Sequence, residues 1–280
     1  MALAQQWALK YIRSKFKLLS LISKRKAAEQ AFTLFCTPQY RNTKALPPIF
    51  EKAEKLQLHF LNYRVCGYRW NAGASKKVLI LHGFESSVIN FDRYVKPLMK
   101  KGFEVLAFDA PAHGRSTGKQ FNALLYKELI QLIYQTYGPV HSFLAHSFGG
   151  LALSLALEEI PHDSQTKAAL IAPATETTTA VNSFFALLQL DPALRPYFDA
   201  IILKNGGHPP EWFSVARASK SIKASMLWAH DKEDNMTPLS DIESVRNANF
   251  PNFRFMITEG LGHRRIYRDN TVSRAVIDFL

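Results

Sequence analysis

The chain has 280 residues, enough for one large α/β domain or two smaller ones, and its 47% hydrophobic and 21% charged composition excludes a disordered or fibrous protein. Its two cysteines, Cys36 and Cys66, cannot build a disulfide framework and lack zinc-type spacing, so we expect a reducing compartment and a cytoplasmic location. The net charge of +12 is concentrated in residues 1–48, which hold nine Lys or Arg residues against the single acid Glu29, and no recognised nucleic-acid motif accompanies it.

The N-terminal segment, residues 1–55, is predicted to be a basic helical extension. Ile12, Phe16, Leu19 and Ile22 fall at the spacing of one helical face. Basic residues interrupt the segment throughout, so it resembles neither a signal peptide nor a transmembrane span. We favour a helix packed on the main domain or on a second copy of the chain. The alternative is an interfacial helix that touches a membrane with its lysines toward water.

From about residue 56, short apolar runs alternate with helix-length segments, which is typical of a mostly parallel sheet covered by helices. The first two strands have no helix between them and are predicted to form a hairpin. The strand candidates are 56–60, 65–70, 78–81, 105–108, 140–145, 168–172, 224–229 and 253–257. The helix candidates between the later strands are 90–101, 121–137, 148–159, 238–248 and 269–279. We therefore predict one α/β domain over residues 56–280 with about eight strands.

The interval at about residues 174–223 is too long for a simple crossover connection. It is rich in aromatic and aliphatic residues and is broken by prolines, which suits a small helical cap. Its apolar residues include Phe184, Phe185, Leu188, Trp212 and Phe213.

The sharpest chemical signal is Ala145-His146-Ser147-Phe148-Gly149-Gly150, which follows an apolar run and precedes a helical pattern. It resembles the nucleophile elbow, a strained strand-to-helix turn that exposes a serine hydroxyl. Ala145 replaces the usual first glycine, which is the least disruptive departure. On this motif the chain resembles the α/β-hydrolase superfamily over residues 56–280, with an α/β-hydrolase fold.

The resemblance implies the rest of a catalytic triad in the chain order Ser, acid, His. Only His263 lies after the last predicted strand, in a glycine-flanked loop, and it is the predicted base. Asp234, four residues before Pro238, matches the family's acid. Asp231 and Glu233 are nearby, and Glu176 stands where some relatives place the acid, but we expect solvated loop charges at these three.

The oxyanion hole needs two backbone N–H donors. His82-Gly83-Phe84 resembles the family's His-Gly-Xaa loop, which assigns the N–H groups of Phe84 and Phe148. Asp109 and His113 lie in a segment that resembles a second family loop, and we expect them to order that loop. His82 and His146 are expected to be loop-fixing or wall residues.

These features predict a carboxylesterase-like serine hydrolase that cleaves a small carboxylic ester, or a thioester, of short-to-medium acyl chain through an acyl-Ser147 intermediate. In similar hydrolases the inserted segment roofs the active site, and this resemblance predicts a substrate pocket lined by Phe184, Phe185, Leu188, Trp212 and Phe213. No metal or cofactor is implied. The alternative is a non-catalytic binding or scaffold protein that uses the cap and the basic N-terminal arm. That arm is also the candidate for peripheral membrane contact or self-association.

Overall fold

The computed structural model describes residues 3–280, which form two compact units. The first contains the described residues up to Thr37 together with Glu176–Phe213, and the second contains Pro38–Thr175 and Ser214–Leu280. The extension was expected to end at residue 55, but residues 38–55 belong to the second unit. Arg41 donates to the carbonyl oxygens of Ser116 and Gly118, and the Phe50 ring packs edge-on against Trp70.

The second unit is built on one eight-stranded sheet in the order β1-β2-β4-β3-β5-β6-β7-β8. Strands β1 to β2 and β2 to β4 pair antiparallel, and the remaining neighbours pair parallel. All eight predicted strands are present within two residues of their expected bounds. The bounds are β1 Glu54–Phe60, β2 Tyr63–Trp70, β3 Lys76–Leu81, β4 Phe103–Phe108, β5 Ser142–His146, β6 Lys167–Ile171, β7 Ser225–Asp231 and β8 Phe253–Thr258.

The helices comprise twelve α-helices and five 3-10 turns among the described residues. The α-helices are α1 Leu3–Ile22, α2 Lys24–Phe35, α3 Pro48–Glu51, α4 Asp92–Lys100, α5 Ala123–Tyr137, α6 Phe148–Leu157, α7 Thr177–Leu188, α8 Arg195–Gly206, α9 Val215–Ala218, α10 Glu243–Asn247, α11 Gly262–Arg265 and α12 Asn270–Phe279. The 3-10 turns are Val88–Phe91, Pro192–Leu194, Pro210–Trp212, Leu239–Ile242 and Ile266–Arg268.

The central strands are apolar runs because helices cover both faces of a parallel sheet. Every residue of β4 and β5 is buried. On one side the core contains Val95 and Leu98 of α4 and Val276 of α12, while α5 and α6 pack against each other. The carboxyl ends of β3, β5, β7 and β8 lie at one edge of the sheet, where their loops can carry a site.

The first unit consists of helices α1, α2, α7 and α8 with two short turns. Helix α2 lies within the predicted helical extension, although the sequence pattern did not set its bounds; it begins after the N-cap Ser23 and buries Ala27, Ala28 and Ala31. Its aromatic rings meet those of the inserted segment: Phe32 contacts Phe198, and Phe35 contacts both Phe184 and Phe198. The basic arm and the inserted segment therefore share one apolar core.

Helix α1 differs from the expected amphipathic pattern. Phe16 is buried, and Ile12 and Leu19 are half-buried, but Ile22 is 81% exposed. Arg13 donates to the carbonyl oxygen of Leu187 over 3.1 Å from Nε and 2.7 Å from Nη2, which fixes α1 to α7. Among the described residues, no helix combines the length and apolarity needed to cross a bilayer.

Candidate active site

Ser147 occupies a strained turn between β5 and α6. Its φ of +54° with ψ of −123° lies in a region that side chains avoid, so the surrounding structure must hold it there. A β-carbon on Gly149 would lie 2.7 Å from the carbonyl oxygen of His82, and one on Gly150 would lie 2.6 Å from Cβ of Pro173. Only glycine fits at these two positions, so the motif is a packing requirement of the turn.

The structure brings Ser147, His263 and Asp234 together. The Ser147 hydroxyl lies 2.9 Å from Nε2 of His263, and Nδ1 of His263 lies 2.8 Å from Oδ2 of Asp234. His263 is the second residue of the short helix α11 after β8, and Asp234 lies in the loop after β7. With Nδ1 donating to the carboxylate, Nε2 is left as the acceptor for the serine proton, which is the arrangement that activates a hydroxyl nucleophile.

Asp234 is fully supplied with donors. Its Oδ1 accepts from the N–H groups of Met236 and Thr237 over 2.9 and 2.8 Å, and its Oδ2 also accepts from the Thr237 hydroxyl over 2.8 Å. Burial alone raises the pKa of the Asp234 carboxyl, but the hydrogen bonds from His263 and Thr237 outweigh burial, and the net pKa lies below the usual range. The acid is therefore held as a carboxylate.

The expectation that Asp231 is a solvated loop charge is wrong. Asp231 is fully buried, and its Oδ1 accepts from the N–H groups of Glu233 and Gly262 over 3.0 and 2.9 Å. Its Oδ2 accepts from the Thr258 hydroxyl over 2.7 Å and from the Leu261 N–H over 3.1 Å. Asp231 thus ties the loop that carries the acid to the loop that carries His263.

The other two acids that the sequence left open lie elsewhere. Glu233 is exposed. Glu176 is the N-cap residue of α7 and belongs to the first unit. Among the four candidates, the carboxylate hydrogen-bonded to His263 is that of Asp234.

The two N–H groups assigned to the oxyanion hole belong to Phe148, the residue after Ser147, and to Phe84, in the loop after β3. Phe148 is the first residue of α6, so its N–H belongs to the first helical turn, whose donors have no carbonyl partner in the helix. Phe84 follows Gly83, where a β-carbon would come within 2.8 Å of Cβ and 3.3 Å of Oγ of Ser147. The backbone at Gly83, directly before Phe84, therefore passes close to the Ser147 side chain.

Two buried histidines fix that backbone. Nδ1 of His82 donates to the Gly83 carbonyl oxygen over 2.7 Å, and Nε2 of His113 accepts from the Glu85 N–H over 3.0 Å. Burial lowers the pKa of His82 to about 4 and that of His113 to about 3, so both rings are neutral and keep these bonds at neutral pH. Asp109, also buried, accepts from the Ser87 hydroxyl and from the Val88 and Arg115 N–H groups, and orders the same loops.

Two further histidines support the triad without belonging to it. Nε2 of His146 donates to the carbonyl oxygen of His263 over 3.2 Å, and burial lowers the pKa of His146 to about 3. Nε2 of His230 donates to the Thr237 carbonyl oxygen over 2.7 Å. No role was predicted for Thr237 or His230 from the sequence. The one sequence feature that could have indicated a role is their spacing of three and four residues from Asp234, which allows them to hold the Asp234 loop in place.

The predicted pocket residues all lie in the first unit and have packing partners there. Phe184 and Phe185 contact Phe198, Leu188 is buried, and the Phe213 ring covers Gly206 of α8. The Trp212 ring stacks on His208 with centroids 3.9 Å apart. This packing accounts for the apolar composition of the inserted segment; the pocket-lining role stays a prediction. Within residues 3–280, no group of three or more His, Cys, Asp or Glu side chains is arranged to hold a metal ion.

Comparison with known proteins agrees with this architecture. The model of the hydrolase family described as "Serine aminopeptidase, S33" matches residues 72–248. No curated protein matches the chain in sequence.

Solved structures with the same architecture include an esterase, Pf2001 of Pyrococcus furiosus, which is 22% identical with a TM-score of 0.64 over 88% of this chain and 97% of that one. Alpha/beta hydrolase domain-containing protein 10 from mouse is 16% identical with a TM-score of 0.59, covering 81% of this chain and 96% of that one. The thioesterase domain from the curacin biosynthetic pathway is 16% identical with a TM-score of 0.58, covering 81% and 98%. At these identities the likeness shows the fold alone, and the predicted α/β-hydrolase fold is confirmed.

Proposed function

The chain belongs to the hydrolase family described as Serine aminopeptidase, S33, and we propose that this member cleaves carboxylic esters, or thioesters, through an acyl-Ser147 intermediate. The observation that carries the proposal is the hydrogen-bonded relay from Ser147 through His263 to Asp234, with the serine on a strained turn. The esterase and thioesterase among proteins of similar fold agree with it.

The proposed reaction has two halves. The Ser147 oxygen attacks the carbonyl carbon of the ester while Nε2 of His263 takes the hydroxyl proton. The negative charge that develops on the carbonyl oxygen is received by the N–H groups of Phe84 and Phe148. The imidazolium, stabilised by Asp234, then gives its proton to the departing alcohol or thiol.

In the second half, water attacks the acyl-Ser147 carbonyl carbon and passes a proton to His263. The carboxylic acid leaves and the proton returns to the serine oxygen. Every group required for both halves lies in the second unit. The buried neutral rings of His82 and His113 keep the loop over the serine in place and take no proton themselves.

The test is covalent labelling with a fluorophosphonate, which reacts with an activated serine. We expect the wild-type protein to be labelled and Ser147→Ala not to be, with Ser154→Ala as the matched control because Ser154 lies buried inside α6. Absence of labelling in the wild type, together with absence of turnover on any ester, would overturn the proposal in favour of a binding protein that uses the cap and the basic arm.

The acyl range is the finer part of the proposal and comes from the apolar composition of the inserted segment. Each buried methylene contributes about 0.8 kcal/mol, so two methylenes that fit improve kcat/KM by roughly tenfold. We expect p-nitrophenyl ester turnover to rise from acetate to a maximum between about butyrate and octanoate and then fall. Turnover that does not change with acyl-chain length would contradict the proposed acyl range.

Faster turnover of amino-acyl anilides than of esters would instead indicate a peptidase.

A further inference from the structure

Helix α1 exposes a second apolar face, opposite the face that packs inside the first unit. Its members are all aromatic or aliphatic and all largely exposed: Trp7 69%, Tyr11 71%, Leu18 65%, Leu21 79% and Ile22 81%. At about 100° per residue they fall within an arc of roughly 100°, which is the width of a helix face that normally contacts an apolar partner. We call these five residues the α1 stripe.

Lysines border the α1 stripe on both sides. At about 100° per residue, Lys10 and Lys17 lie along one edge and Lys15 along the other, and all three are exposed. Nζ of Lys10 lies 5.6 Å from the centroid of the Trp7 ring. Phe16, on the far side of the helix, is buried at 4% exposure, so the orientation of the stripe is fixed by packing.

The charge around the α1 stripe is predominantly positive. Residues up to Thr37 contain seven Lys or Arg side chains and the single acid Glu29, which is engaged with Arg25 at 3.1 Å. A groove of about 890 Å³ along the Lys10 edge is lined by Lys10, Arg13 and Lys17, with Asp191 as its one acidic residue. An apolar stripe with cations at both edges complements a surface that is apolar inside and anionic outside.

We propose that α1 docks the protein on anionic phospholipid bilayers, with the α1 stripe inserted among the acyl chains and Lys10, Lys15 and Lys17 at the phosphate level. Tryptophan and tyrosine at the first two positions of the stripe suit the boundary between headgroups and acyl chains. A protein partner of the same face would need a matching acidic rim, whereas a second copy would bring the same lysines together. The inference does not depend on the proposed catalytic function.

The test uses the full chain carrying Ser147→Ala, so that binding is measured without turnover. Sedimentation with phosphatidylcholine vesicles containing about one-third phosphatidylglycerol should pull the protein down, and pure phosphatidylcholine should not. Raising the salt from about 0.1 to 1 M should release it, because the charge contribution is screened. The emission of Trp7 should shift to the blue on binding, and Trp7→Phe should abolish that shift.

Two triple variants separate the contribution of the apolar α1 stripe to vesicle binding from that of the bordering lysines. The stripe variant is Trp7→Ser with Leu18→Ser and Leu21→Ser, and the charge variant is Lys10→Gln with Lys15→Gln and Lys17→Gln. Each should weaken vesicle binding by about tenfold or more. Since all six residues are exposed, both variants should unfold at the wild-type temperature.

The controls change exposed residues elsewhere. For the stripe variant they are Leu61→Ser, Tyr197→Ser and Leu203→Ser, which are 70%, 44% and 48% exposed. For the charge variant they are Lys100→Gln, Lys204→Gln and Lys220→Gln, which are also exposed. Both control sets should bind vesicles like the parent protein.

Two results would overturn the inference. One is the absence of binding to anionic vesicles by the full chain. The other is a dimer in light scattering that the stripe variant dissociates while vesicle binding is absent or unchanged, because the face is then covered by a second copy.

Discussion

Oδ1 of Asp231 accepts a hydrogen bond of 2.9 Å from the N–H of Gly262, the residue directly before His263. With the Leu261 N–H on Oδ2, the carboxylate holds both residues that precede the predicted base. Asp231 is therefore a positioning residue for His263, although it touches neither the histidine ring nor the serine.

Replacement of Asp231 by asparagine should loosen this loop. The carboxylate serves two donors at each oxygen, and an amide can satisfy only the pair at its carbonyl oxygen while its NH₂ faces the other pair. We expect a loss of about 2–4 kcal/mol in the free energy of unfolding and a fall in kcat of about 10–100-fold with KM little changed. Urea titration and ester kinetics measure the two effects.

The matched control is Asp163→Asn. Asp163 also accepts from two backbone N–H groups, of Gln165 and Thr166, but it is exposed. Its replacement should change stability by less than about 1 kcal/mol and leave kcat unchanged. An Asp231→Asn protein as stable and active as the wild type would show that the loop is held by other contacts.

Asp234→Asn should damage the reaction through the tautomer of His263. The backbone N–H groups of Met236 and Thr237 fix the acceptor oxygen on the Oδ1 side, so the amide NH₂ must face Nδ1 of His263. Nδ1 then has to accept, the proton moves to Nε2, and Nε2 can no longer take the serine proton. We expect kcat to fall by about 10³–10⁴-fold, as in serine proteases, whereas the exposed neighbour variant Glu233→Gln should be silent. A damaging Glu176→Gln beside a silent Asp234→Asn would reassign the acid.

The strained backbone at Ser147 predicts a stability difference between two inactive variants. Glycine accepts a φ of +54° without the penalty of about 1–2 kcal/mol that a β-carbon incurs. Glycine also makes the unfolded chain more flexible, which offsets part of this gain in stability. Ser147→Gly should therefore be more stable than Ser147→Ala by about 0.5–1 kcal/mol in urea titration. At Ser154, inside α6, the order should reverse, with alanine about 1 kcal/mol more stable than glycine. If alanine is the more stable replacement at Ser147 as well as at Ser154, the turn is not strained.

The buried histidines predict loss of stability in mild acid. Burial places the pKa values of His82, His113 and His146 at about 4, 3 and 3, below the value of about 6.5 expected in the unfolded chain. Between about pH 6.5 and 4 the unfolded state binds more protons, so the free energy of unfolding falls as the pH falls, by up to about 4 kcal/mol per pH unit for three such groups. The low pKa values of Asp231 and Asp234 act in the same direction, but below about pH 4.

Urea titrations across this range check the slope and its origin. His146→Leu should reduce the slope by about one third, and the exposed His59→Gln should leave it unchanged. A free energy of unfolding that is constant from pH 6.5 to 4.5 would contradict the assignment of neutral buried rings.

The sheet, and the three residues Ser147, His263 and Asp234 that the structure joins by hydrogen bonds, could be predicted because their signals are local. Ser147 lies in a six-residue motif, each strand is a short apolar run, and the order of serine, acid and histidine along the chain leaves few choices. The burial of Asp231 could not be predicted in this way, since its partners Leu261 and Gly262 come from a loop 30 residues later. In a stretch with so many acids, spacing alone does not tell a buried carboxylate from a solvated one.

For helix α1, the sequence pattern also could not show which residues are buried. The faces through Phe16 and through Leu18 are both apolar, and periodicity cannot decide which is buried when the partner α7 lies more than 150 residues away. The sequence interpretation selected the Phe16 face together with Ile22, and Ile22 is in fact exposed. Helix α2, by contrast, carried a usable signal, because Ser23 is followed by Lys-Arg-Lys-Ala-Ala-Glu-Gln-Ala, a capping residue before strong helix formers.

The first unit is built from two separate stretches of the chain, so it cannot complete its fold until the second stretch has been synthesised. Phe32 and Phe35 leave the ribosome before their partner Phe198, which is more than 160 residues later in the chain. At about 5–20 residues per second, translation takes roughly 8–33 s to supply it. During that interval Phe32 and Phe35 of α2 have no native partner in the inserted segment, so the nascent chain exposes a basic segment with apolar side chains to chaperones or lipid.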